Sequence, residues 1–95
     1  MIIEFEKKYL SELYNIGQYI SKTYTYNPAV VARYKARVDT LAAARSVEQL
    51  STFKSWDVRS IDEEGTFSVR LDYSYCLIFK INILTCTLVD IMEQE

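Results

Sequence analysis

The 95-residue chain contains no histidine, and that absence excludes more chemistry than any other feature of it. Serine–histidine–aspartate and cysteine–histidine nucleophiles, a histidine general base and the usual mixed zinc ligand sets are all ruled out. Cysteine is scarce as well: Cys76 and Cys86 lack CxxC spacing, so neither a zinc site nor a thioredoxin-like motif is expected. Both read as small apolar residues buried in strands of a reducing-compartment protein, with a disulfide between neighbouring strands as the alternative. No metal and no cofactor are expected. Two glycines and one proline leave little room for linkers or low-complexity segments. The N-terminal MIIEFEKKYL is too short and too charged for a signal peptide, and Lys80 and Asn82 interrupt the longest apolar stretch near the C-terminus, so no membrane span is expected. These features predict a soluble, cytoplasmic protein with one domain over residues 1–95.

What is present is ordinary globular material, 49% hydrophobic and 25% charged, in a chain long enough to build a core without staples. A net charge of -2 argues against a nucleic-acid binder, but the charge is unevenly spread. Arg33, Lys35, Arg37, Arg45, Lys54 and Arg59 make the middle basic. From Ser60 onward only Arg70 and Lys80 oppose seven carboxylates, so an anionic partner can be met locally.

The stretch MIIEF reads as a short first strand. From about Lys7 to Lys22, Leu10, Leu13, Tyr14, Gly17 and Ile20 recur at helical spacing, with Gly17 marking close packing or a break. TYTYN is unlike a helix, whereas Asn27-Pro28 is a start signal for a second helix running to about Arg45. Val31, Tyr34, Val38 and Leu41 form its apolar face. Arg33 and Arg37 lie four apart on another face, read as solvated or, alternatively, as an RNA track. Ser46 and Gln49 fit a capping box for a third helical turn.

Beyond Leu50 the periodicity falls from 3.6 to 2. Trp56–Ile61, Phe67–Leu71, Cys76–Ile81 and Leu84–Met92 read as strands joined by short connections, which predicts an antiparallel meander. The sum is an α+β domain in which two N-terminal helices pack on a twisted, mainly antiparallel sheet of four to five strands. Alternation places Ser68, Arg70 and Asp72 on one face of their strand, and Cys76, Ile78 and Lys80 together on the next.

This order of elements, with LYNIG in the first helix, LAAARSVEQL ending the second, and FSVRLDYSYCLIFKI leading to VDI, resembles the RelE/ParE superfamily of bacterial toxins, nearest its HigB-like, or killer-protein, branch. The resemblance spans roughly Tyr9 to Ile91. It implies a RelE-like fold and a toxin neutralised by a cognate antitoxin. It also implies metal-independent endonuclease activity on ribosome-bound mRNA, while ParE-like relatives act on DNA gyrase.

Members that cut mRNA usually carry Tyr-Arg where this chain has Tyr75-Cys76. A guanidinium there can clamp the scissile phosphate and stabilise developing charge, and a thiol cannot. The resemblance leaves Arg70 as the candidate phosphate contact and Tyr75 as the candidate for positioning a base, with Lys54, Arg59 and Lys80 as further RNA-binding candidates. The loop before Phe67, often basic in the family, is Asp62-Glu63-Glu64 here, and the terminal Tyr or His used for proton transfer has no match. Arg70 also has a plainer reading, a solvated strand residue paired with Asp72 or another carboxylate. Tyr73 and Tyr75 have one too, as packing aromatics. The tyrosines of the helical half suggest core plus a surface for a partner. A non-catalytic, protein-binding member of the same fold is therefore the alternative function.

Overall fold

In the computed structural model, which describes residues 1–16 and 26–93, Asn27 and Pro28 open helix α2 (Pro28–Ala43) as the sequence predicts. The Asn27 side chain accepts a hydrogen bond from the Ala29 N–H at 2.8 Å, and Pro28 occupies the first turn, where no N–H is needed. Val30, Tyr34, Val38 and Leu41 recur every three or four residues and are all buried. They pack with Tyr9, Leu10 and Leu13 of helix α1 (Lys8–Asn15). Tyr34 is fully enclosed, and its hydroxyl donates to the Leu10 carbonyl at 2.7 Å, so the one polar atom of that ring is satisfied.

Helix α1 is capped by Ile16, and the predicted continuation to Lys22, with Gly17, lies outside the described residues, as do Thr23, Tyr24 and Thr25. Helix α2 ends at Ala43, two residues before Arg45. Helix α3 (Val47–Leu50) follows, but Ser46 makes no side-chain cap bond. Neither half of the predicted box forms: the Gln49 side chain accepts instead from the Arg45 N–H at 2.7 Å, one residue before the cap.

Among the described residues five strands form one mixed sheet: β1 (Ile2–Phe5), β2 (Arg59–Ser60), β3 (Thr66–Arg70), β4 (Tyr75–Asn82) and β5 (Thr85–Glu93), in the order β1-β5-β4-β3-β2. The last four are sequential antiparallel neighbours, and β1 joins β5 in parallel, Ile2 beside Thr85 and Phe5 beside Leu88. Between Ile78/Asp90 and Phe79/Leu88 the register slips by one residue, leaving a bulge at Val89.

The expected strand Trp56–Ile61 is corrected to two paired residues. Lys54–Trp56 is instead a 3-10 turn that buries Trp56 and stacks it on Phe53, and Asp57 follows with a left-handed φ of 48°. Extended geometry is impossible until that reversal is passed, so only Arg59 and Ser60 reach the ladder.

One core joins the helices to the inner face of the sheet, where Val69, Leu71, Leu77, Phe79, Cys86, Leu88 and Ile91 point. Tyr9, Tyr26 and Tyr34 belong to that core, as the core part of the tyrosine reading expects; Tyr14 packs against it with its hydroxyl hydrogen-bonded to Asp39. No helix among the described residues is long and apolar enough to cross a membrane.

Candidate nucleic-acid interface

The outer face of the sheet gathers most of the residues singled out in the sequence. Arg70 lies directly opposite Cys76 across the β3–β4 ladder, Ser68 opposite Ile78 and Arg59, and Thr66 opposite Lys80. Directly opposed residues share a face, so Arg59, Arg70, Cys76 and Lys80 are displayed together. Tyr75 is one residue out of phase. It packs against the core and meets the Tyr26 ring edge-on, with centroids 5.1 Å apart, so alternation separates it from Arg70. Lys54 stands apart from this ladder, exposed in the 3-10 turn.

The cations of the face are partnered by carboxylates. Asp57 Oδ2 accepts from Arg59 Nε at 3.2 Å, with Arg59 Nη2 3.0 Å away, and from Arg70 Nη2 at 3.4 Å, and Lys80 Nζ lies 3.9 Å from Glu64. The partner of Arg70 is thus Asp57, not Asp72. Asp72 Oδ1 accepts from the N–H groups of Ser74 (2.7 Å) and Tyr75 (2.8 Å), shaping the β3–β4 turn. Asp62 does the same for the loop before β3, accepting from Glu64 and Thr66, and the first of these bonds holds its carboxyl below the usual range. Arg70 Nε is enclosed without a hydrogen-bond partner.

Cys76 is half-buried, and burial pushes its thiol above the ordinary value despite a backbone hydrogen bond that acts the other way. It is neutral at pH 7 and supplies no charge to the position opposite Arg70. Cys86 is fully enclosed, pushed up to about 12 by burial. No group of three or more histidine, cysteine or carboxylate side chains suited to a metal ion occurs among the described residues.

A second basic feature was only partly visible in the sequence. Arg33 and Arg37 do not simply extend into solvent: Arg33 Nη1 donates to the Leu71 carbonyl at 3.2 Å, and Arg37 Nε donates to the Arg70 carbonyl at 3.3 Å. The Arg37 guanidinium lies 4.8 Å from the Trp56 ring centroid, a cation–π contact, and burial and then Arg33 lower its pKa. Arg33, Arg37, Ser55, Arg70, Leu71, Asp72 and Tyr73 line a cleft of about 450 Å³. The i,i+4 spacing of the two arginines was the available signal; their attachment to β3 was not, because it depends on how α2 crosses the strand.

The chain matches no protein-family model and no curated protein.

Proposed function

We propose that this chain is a toxin of the RelE/ParE type, with a RelE-like fold, held by a cognate antitoxin and cleaving ribosome-bound mRNA weakly through the outer face of its sheet. The observation that carries the reading is the placement of Arg70 opposite Cys76, on a meander whose other face is sealed by two helices. In this reading Arg70 leaves Asp57 to hold the scissile phosphate, and Arg59 and Lys80 approach the flanking backbone. Exposed ion pairs of this kind are worth about 0–1 kcal/mol, so an RNA phosphate can displace the carboxylate. The neutral thiol of Cys76 leaves the second clamp missing. Loss of one preorganised contact to developing charge lowers rate by about a hundredfold to a thousandfold.

A second reading, a non-catalytic member of the fold that only binds an antitoxin or another protein, is supported by the carboxylate held on each cation of the face. Expression of the native chain, Cys76→Arg, Cys76→Ala and Arg70→Ala separates the two through growth arrest and mapped cleavage of translated mRNA. The toxin reading expects weak native cleavage, a large gain in Cys76→Arg, no change in Cys76→Ala and loss in Arg70→Ala. Absence of cleavage in all four, with a stable complex formed by the product of the neighbouring reading frame, transfers the assignment to the second reading.

A further inference from the structure

We propose that the cleft between α2 and the β3–β4 turn binds a nucleotide, its phosphate held by Arg33 and Arg37 and its base stacked on Tyr73. The two guanidinium groups are the starting point. Each is tethered through one N–H to consecutive carbonyls, those of Leu71 and Arg70, and neither forms an ion pair among the described residues. A carbonyl fixes a guanidinium without cancelling its charge, so the remaining N–H groups stay available to an anion. Side chains already immobilised lose little freedom on binding, which favours a preorganised site. Arginine's planar fork suits the paired oxygens of a phosphate.

The rest of the cleft narrows the ligand. Tyr73 is 93% exposed and has no ring partner among the described residues, and an aromatic face in open solvent beside a phosphate site is a platform for a base. Asp72, the one carboxylate among the lining residues, has its Oδ1 engaged by the Ser74 and Tyr75 N–H groups. The volume of about 450 Å³ falls within the span of small-molecule sites, about 300–1,000 Å³. A bare carboxylate ligand would use the arginines and leave Tyr73 without a role. Arg70 also lines the cleft, so the site borders the sheet face, but it does not require RNA cleavage; it is tested through Arg33 and Tyr73, neither of which belongs to that face.

The test is titration of the isotope-labelled full chain with adenosine monophosphate, a single-stranded tetra-adenylate, inorganic phosphate and a tetra-aspartate peptide, following the amides of Leu71 to Ser74. Both adenylates are expected to shift these amides saturably, with at least tenfold weaker binding in Arg33→Gln. Tyr73→Ala should weaken both adenylates severalfold and leave inorganic phosphate unchanged. Equal affinity for the two adenylates identifies a single nucleotide as the ligand, and much tighter tetra-adenylate binding identifies an RNA strand; both support the site. No saturable shift at millimolar adenylate, unaltered affinity in Arg33→Gln, or equal binding of tetra-aspartate overturns it.

Discussion

The two faces of strand β4 are built from alternate residues of one eight-residue segment, yet they obey different rules. Leu77 and Phe79 on the inner face are wholly excluded from solvent and belong to the hydrophobic core, whereas Cys76 and Ile78 on the outer face are half-buried and Lys80 is exposed. Inner positions tolerate little, because close packing makes every lost methylene felt. Outer positions bear on stability through weak surface pairs, so their identity can drift without threatening the fold. That difference explains how a thiol can occupy the place opposite Arg70 in an otherwise intact sheet.

The sharpest way to break the comparison is to truncate one residue on each face. Phe79→Ala should lower stability by about 3–5 kcal/mol, since it removes a stacked aromatic from beside Phe67 and leaves a cavity. Ile78→Ala, its neighbour, should change the denaturant midpoint by less than about 1 kcal/mol equivalent. Equal losses in urea unfolding would mean that the outer face is buried in solution.

Smaller effects are expected at the turns that join the strands. Gly65 has a φ of 89°, and a Cβ there would lie 2.8 Å from the Ile81 carbonyl oxygen. Gly65→Ala should therefore cost about 1–3 kcal/mol through backbone strain and the shift it forces. Ile83 holds a left-handed φ of 57° with its side chain 89% exposed, an unfavourable place for a β-branched residue. Ile83→Asn should raise stability by about 1 kcal/mol, because asparagine tolerates that conformation. Thermal unfolding of the two variants reads both signs, and a loss in Ile83→Asn would show that the exposed isoleucine contacts something.

The legible parts of this molecule were those fixed by local chemistry. Asn27-Pro28 announced α2, alternation from Ser68 to Leu71 announced which face is buried, and short loops announced the antiparallel pairings. Features that depend on distant contacts were missed. The 3-10 turn at Lys54–Trp56 exists because Trp56 is drawn into the core, and no local preference opposes a strand there. The counter-charge of Arg70 went to Asp57 because a left-handed backbone at Asp57 places its carboxylate between Arg59 and Arg70. The phase of Tyr75 was readable from alternation alone; the Tyr26 ring that packs on it was not.

A pH test sharpens the contrast between paired charges at the sheet edge and dry packing beneath. Asp90 accepts from Lys7 Nζ at 2.6 Å, from the Tyr9 hydroxyl and from the Ile91 N–H at 2.9 Å. Burial raises its carboxyl, but these bonds outweigh it and hold the group below the ordinary carboxylate value. A folded value below the unfolded one, about 3.9, means that the contribution is fully present above that pH and is lost as pH falls through the lower folded value. Asp90→Asn should therefore be less stable at pH 7 and lose less stability than the native chain on acidification below about pH 4. Urea midpoints at neutral and acid pH check this, and parallel curves for the two proteins would remove Asp90 from the account.

The smallest expected effect is the one most specific to the outer face. Asp57 is the only carboxylate among the described residues that pairs with Arg70, and it holds Arg59 as well. Asp57→Asn keeps a residue suited to the left-handed backbone while releasing both guanidinium groups, so stability should change by no more than about 1 kcal/mol. Removing one negative charge and freeing two positive ones should tighten single-stranded RNA binding severalfold at low salt. Each newly neutralised phosphate should steepen the fall of log affinity with log salt by about 0.7. Affinity measured across a salt series reads both quantities. Unchanged affinity and slope in a folded Asp57→Asn protein would show that Arg59 and Arg70 do not meet RNA, leaving the outer face to a protein partner.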